Sequence, residues 1–88
     1  MTYRITLSRA ARRALETTLP DPVAAAVWEF ITGPLAENPH RVGKPLRGQL
    51  EGTWSARRGE YRVIYRIEDS IVTVTIIRLS HRRDAYRT

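Results

Sequence analysis

Hydrophobic and polar positions alternate at the start of the chain. Tyr3, Ile5 and Leu7 interleave with Arg4, Thr6 and Ser8, which predicts a half-buried strand. The period then lengthens: Ala11, Leu15 and Leu19 share one stripe of a helix over residues 9–19, with Arg9, Arg12 and Arg13 outward and Ser8 placed to cap it. Pro20-Asp21-Pro22 stops that helix and starts a second, with Asp21 as N-cap and Pro22 at the first helical position. The second helix buries Val23, Val27, Phe30 and Ile31 and ends near Gly33-Pro34 or one turn later, so the pair reads as an αα-hairpin. Residues 38–52 contain Pro39, Gly43, Pro45, Gly48 and Gly52 and read as a long connection with little regular structure. Loops of that length in a compact domain often carry function.

Period two then returns. A strand is expected over residues 53–58, a turn at Arg58-Gly59-Glu60, and a strand over 61–67 with Tyr61, Val63, Tyr65 and Ile67 on one face and Arg62, Ile64 and Arg66 on the other. Glu68-Asp69-Ser70 turns the chain into the most apolar strand, residues 71–79, with Val72, Val74 and Ile76 on one face and Thr73, Thr75 and Ile77 on the other. A polar, basic tail or short helix follows from Arg82. The order β-α-α-β-β-β is an α+β arrangement over a single domain, residues 1–88: a two-helix hairpin packed on one face of a small, mainly antiparallel sheet. Helices on one face leave the other to present Arg62, Arg66 and Arg78.

Charge gives that open face a meaning. Fifteen basic residues against nine acidic ones leave a net +6, and Lys44 is the only lysine among them. Arginine offers a planar, five-donor fork for phosphate and stacks on bases, which fits nucleic acid. The excess concentrates in residues 41–66, where six arginines and Lys44 face two glutamates and interleave with Trp54, Tyr61 and Tyr65. Cysteine is absent, which excludes disulfides, thiolate metal clusters and a cysteine nucleophile. His40 and His81 are the only imidazoles, so no metal and no other cofactor is expected. The longest apolar stretches are too short to span a bilayer and no basic-then-apolar leader precedes them, so the expectation is a small soluble cytoplasmic domain with no membrane partner. Gly43, Gly48 and Gly52 lack the spacing of a phosphate-binding loop.

The block Gly43-Lys44-Pro45-Leu46-Arg47, then Leu50-Glu51-Gly52, then Trp54 through Tyr65, resembles the RelE toxins of bacterial toxin–antitoxin pairs. The tail Ser80-His81-Arg82-Arg83-Asp84-Ala85-Tyr86 resembles the family's ending, and the likeness spans nearly the whole chain. It implies the RelE/ParE fold and a ribosome-dependent, metal-independent endoribonuclease that cleaves mRNA by attack of a ribose 2′-hydroxyl on the adjacent phosphate. It also implies an acidic, RelB-like cognate antitoxin, which would act at the operator DNA of the pair.

Carried over residue by residue, Arg62 matches the strand arginine that stabilises the phosphate, and Arg82 the tail arginine with a similar role. Tyr86 matches the tyrosine that stacks on a base or orients the nucleophile, and Arg57 falls at a basic position of the preceding strand. His81 occupies the position where YoeB-like members use a histidine as acid or base. Lys44, Arg47, Arg58 and Arg66 are expected to contact RNA, Lys44 and Arg47 at ribosomal RNA phosphates.

Two departures leave the base unassigned. The family's second-strand lysines read Thr53 and Ser55 here, and Lys44-Pro45-Leu46 lacks the glutamate that some relatives carry in that loop. His81, Glu51, Asp84, Glu60 and Lys44 are the residues able to transfer a proton, and His81 is the best of them on chemistry. Two other functions stay open: a ParE-like toxin that binds DNA gyrase, and a non-catalytic ribosome- or RNA-binding module. Trp54 is expected in the core, and Trp28 in packing or an antitoxin groove.

Overall fold

A computed structural model of the chain describes residues 2–81. Arg82, Asp84, Tyr86 and the expected tail helix lie outside the described residues. Strand β1 (Arg4–Leu7) leads into α1 (Arg9–Arg13), where the Ser8 hydroxyl accepts from the Ala11 amide as a helix cap. The next turn, Ala14–Thr18, is wider than an α-helix, and the Leu19 amide donates to the Ala14 carbonyl five residues back. That widening shifts the buried stripe from the expected Ala11, Leu15 and Leu19 to Ala11, Ala14 and Leu19, with Leu15 half-buried.

Helix α2 (Asp21–Phe30) begins at Asp21 with Pro20 at the cap position, one residue earlier than predicted and without a side-chain cap. It passes through Gly33-Pro34 in a second wide turn, Ile31–Leu35. Proline lacks an amide proton and crowds the carbonyl four residues back, and the wider turn makes room for it. Val27, Phe30, Ile31 and Leu35 are buried; Val23 is half-buried.

The segment read as an irregular connection is more ordered than its Pro and Gly content predicts. It holds a short helix α3 (Pro39–Val42), a two-residue strand β2 (Lys44–Pro45) and a 3-10 turn, Gly48–Leu50. Gly43 is the reason β2 can pair: a Cβ there would overlap the Tyr65 hydroxyl and lie 2.9 Å from the Ser55 carbonyl. Strands β3 (Trp54–Arg58) and β4 (Tyr61–Glu68) form a hairpin whose two-residue turn places Gly59 at φ 60°. Strand β5 (Thr73–His81) starts two residues later than expected because Asp69–Ile71 turns as a 3-10 helix. Val72 then takes a left-handed conformation, φ 49°, unfavourable for a β-branched residue. Its carbonyl accepts from the Arg4 amide at 2.8 Å, which ties the turn to β1.

The sheet order is β1-β5-β4-β3-β2, with β1 parallel to β5 and every other pair antiparallel. The helices cover one face, over a core that includes Val27, Ile31, Leu35, Val63, Tyr65, Val74 and Ile76. This is the α+β arrangement expected from the sequence, enlarged by α3 and β2.

One irregularity sorts the faces. Ile64 pairs with Arg78 but Tyr65 pairs with Ile76, so Ile77 is an extra, bulged residue in β5. Val74 and Ile76 point to the core before the bulge and Leu79 after it, while Arg78 is exposed. The Ser8 hydroxyl donates to the Ile77 carbonyl at 2.6 Å, so one side chain caps α1 and holds the bulge.

Two stability outcomes follow from this packing. Gly43→Ala should destabilise the fold by about 2–3 kcal/mol through overpacking against Tyr65. Tyr65→Phe alone should cost about 1–2 kcal/mol, because the Pro39 carbonyl that its hydroxyl bonds at 2.6 Å loses its donor. Combined with Gly43→Ala the same change should cost far less, a coupling read from melting curves of the four proteins. Ser8→Ala should cost about 2 kcal/mol for the lost cap and bulge contact, with faster hydrogen exchange at the Ala11 amide.

Candidate phosphate-binding face

Cross-strand register assigns each polar side chain to a face, because neighbours directly opposite in adjacent strands share one. On the face away from the helices, Lys44, Ser55, Ile64 and Arg78 form one row across β2, β3, β4 and β5. The next row is Arg57, Arg62 and Ser80. Towards the other end of the sheet Arg66 pairs with Thr75, whose hydroxyl accepts from Thr6 at 2.9 Å, and Glu68 and Arg4 both pair with Thr73. Lys44, Arg57, Arg62, Arg66 and Arg78 are all exposed on this open face.

Arg57 and Arg62 lie directly opposite each other in the hairpin. Like charges in that position repel and destabilise a sheet unless something neutralises them. Nothing in the described protein does: its ion pairs are His40–Asp69 and His81–Glu60, and among the described residues no arginine or lysine pairs with a carboxylate. A phosphodiester laid across the row would accept hydrogen bonds from both guanidinium groups and relieve their repulsion.

The remaining predicted residues are divided among other surfaces. Arg58 is next to Arg57 and so faces the helices, its guanidinium 5.3 Å from the centre of the Phe30 ring in a cation–π contact. Arg47 is exposed just before the 3-10 turn Gly48–Leu50. His81 pairs with Tyr61, and so the bulge delivers it to the helix side, away from Arg62. There it lines a cavity of about 250 Å³ with Pro22, Val23, Ala26, Glu60 and Tyr61, its Nε2 3.7 Å from a Glu60 carboxylate oxygen. Burial raises the Tyr61 phenol above its ordinary pKa, and its hydroxyl donates to the Ala26 carbonyl at 3.3 Å.

A second polar cluster had no sequence signal, because its members are far apart in the chain. The Tyr3 hydroxyl donates to Asp69 at 2.6 Å, and His40 Nε2 lies 3.1 Å from the other carboxylate oxygen. The Tyr3 hydrogen bond holds the Asp69 carboxyl below the ordinary carboxylate range and pushes the Tyr3 phenol up. The His40 ring stands edge-on to Trp54 at 5.4 Å, and Trp54 stacks on Tyr65, whose phenol burial raises to about 12. The cluster fastens α3 to the sheet. The Arg57–Arg62 pairing, by contrast, was legible in principle, since a two-residue turn at Gly59-Glu60 sets those arginines opposite each other.

Among the described residues no His, Asp or Glu cluster could hold a metal ion, and no helix is long and apolar enough to cross a membrane. A family model described as the ParE toxin of the type II toxin–antitoxin system matches residues 5–86. The chain is 53% identical to toxin RelG of Mycobacterium tuberculosis, over 99% of both chains. It is 51% identical to toxin RelE of the same organism, over 97% of this chain and 87% of that one. The toxin–antitoxin complex RelBE2 from M. tuberculosis contains a chain that superimposes with a TM-score of 0.89 at 51% identity, covering 93% of this chain and all of that one. That structure shows the relative with its antitoxin. The protein with this arginine-bearing open face belongs to the RelE/ParE family of type II toxin–antitoxin toxins.

Proposed function

We propose that the protein is a ribosome-dependent endoribonuclease that cleaves mRNA and so arrests translation. The observation that carries this reading is the Arg57–Arg62 cross-strand pair on an open face, with no carboxylate among the described residues to neutralise it. Cleavage by 2′-hydroxyl attack builds negative charge on a crowded phosphate, and preorganised guanidinium groups stabilise it. Arg62 and Arg57 hold the scissile phosphate, with Arg78 and Arg66 along the same face for the flanking backbone. Arg82 and Tyr86 join them on the family resemblance, as the tail arginine and the base-stacking tyrosine. Arg47, at the edge of the sheet, engages ribosomal RNA. No metal is needed, because the arginines supply the positive charge.

The cognate partner is an acidic, RelB-like antitoxin. Covering the open face neutralises its arginines by charge complementarity and blocks access to RNA. The toxin–antitoxin pair would then act on its operator DNA through the antitoxin. A gyrase-directed toxin is the second reading, favoured by the ParE name of the family model. The arginine row, which no described carboxylate pairs with, weighs against it, because binding a protein surface does not call for a cationic phosphate cradle.

Primer extension on one mRNA, with and without translating ribosomes, tests the reading. Cuts should appear only with ribosomes, and Arg62→Ala should lower the single-turnover rate at least about 100-fold. No cuts in either lane, together with inhibited supercoiling, would move the assignment to gyrase. RNA affinity should fall steeply with salt, with a log–log slope of about −0.7 per phosphate engaged. Arg57→Ala, Arg62→Ala and Arg78→Ala should each flatten that slope by about one phosphate equivalent; an unchanged slope in all three would reject the open face as the binding surface.

A further inference from the structure

Cleavage at the Arg57–Arg62 pair requires a group that can take a proton from the 2′-hydroxyl, and the open face has few to offer. Guanidinium groups stay protonated at any working pH, which removes Arg57, Arg62, Arg66 and Arg78. Ser55, Ser80 and Ile64 complete the two rows around the pair, and none of them is a base. Glu68 is on β4 six residues from Arg62, about 20 Å along the strand. Glu51 precedes β3, at the end of that strand away from Arg57. His81 and Glu60 line the cavity on the helix side. Asp84 lies outside the described residues.

Lys44 is left. It is the single lysine among fifteen basic residues, and it pairs with Ser55, in the row next to Arg57 and Arg62. At ordinary sheet spacings its Cα is about 8 Å from that of Arg57, so an extended lysine side chain reaches a phosphate held by the arginine pair. Its backbone is unusually well fixed for an edge position. Gly43 lets the chain press against the Tyr65 hydroxyl and the Ser55 carbonyl, and Pro45 fixes the next φ angle. The Leu46 amide closes the segment by donating to the Thr53 carbonyl at 2.9 Å. A strand of two residues contributes little to the sheet; what it does is set the Lys44 stem on the open face.

We infer that Lys44 is the proton-transfer residue of the cleavage reaction, its neutral amine accepting the 2′-hydroxyl proton. This rests on the nuclease reading above. In the step, the 2′-oxygen bonds to phosphorus, the bond from phosphorus to the 5′-oxygen breaks, and the 2′ proton passes to the Lys44 amine. Water protonates the departing 5′-oxygen, and the hydroxide so formed takes the proton back from Lys44. The products are a 2′,3′-cyclic phosphate and a 5′-hydroxyl, with no change of oxidation state.

The test is single-turnover cleavage on mRNA-programmed ribosomes between pH 6 and pH 9, with Lys44→Arg, which keeps the charge and removes the titratable proton. Wild-type rates should rise with pH across this range, as expected of a reaction that needs a base. Lys44→Arg should be at least about 100-fold slower with a flat profile. It should still bind ribosomes programmed with an mRNA carrying a 2′-deoxy nucleotide at the cut, within about threefold of wild type. Lys44 is exposed, so the variant should melt as wild type does. A rate within threefold of wild type, a pH slope that persists in the variant, or a loss of binding that matches the loss of rate would each overturn the assignment. Wild-type protein that leaves the mRNA uncut would remove the nuclease reading itself, and the role of Lys44 with it.

Discussion

A one-residue bulge at Ile77 decides which chemistry each face of the sheet carries. Side chains alternate strictly along a strand, so strict pairing through β5 would turn Arg78 toward the helices and Leu79 toward solvent. Burying an unpaired guanidinium under a helix layer is costly, and exposing a leucine forfeits its burial. The extra residue reverses the alternation at the place where the apolar run gives way to Arg78-Leu79-Ser80-His81. Ser8 then links this local switch to the helix layer by bonding the bulged carbonyl while capping α1. The faces of Arg78, Leu79, Ser80 and His81 all follow from that choice.

The result is a sheet with two unlike sides. The covered side is an apolar core in which the buried Tyr65 is satisfied, its hydroxyl donating to the Pro39 carbonyl. The open side carries cations with no carboxylate among the described residues to pair with them. A surface built for stability alone would intersperse acids with these arginines. Here no described carboxylate offsets the repulsion between Arg57 and Arg62, which is a cost to the fold. The same property explains why a partner of opposite charge would silence such a surface.

Around this face the supporting structure is rigid where position matters. The hairpin turn at Gly59 fixes the arginine pair, and the contact of Gly43 with Tyr65 fixes the strand that carries Lys44. On the helix side, the Tyr3–Asp69–His40 cluster and the stack of Trp54 on Tyr65 hold α3, and with it the entry into β2. Arg58, one residue from Arg57, is held over Phe30 instead. Adjacent arginines thus have different work because a strand sends successive side chains to opposite faces.

Much of this was legible in the residues themselves. Two helices, the last two long strands and the Arg62-Ile64-Arg66 face follow from periodicity alone, because burial of one side imposes a repeat of two or 3.6 on the sequence. The Gly43-to-Tyr65 block and the tail carry the family likeness, since those residues were read as a pattern and not as contacts. Three things needed the folded chain. The bulge at Ile77 has no local code, for it is settled by which register buries Leu79 and exposes Arg78. The order within residues 38–52 depends on Tyr65 and Ser55, partners a dozen or more residues away that meet Gly43 only in the closed sheet. The wide turn at Ala14–Thr18, which replaces Leu15 with Ala14 in the buried stripe, is not announced by the helical spacing of the residues, whereas the one at Ile31–Leu35 makes room for Pro34. Sequence determined which basic side chains were available; tertiary structure decided which of them share a face, because a one-residue change of register moves a side chain through the full thickness of a sheet.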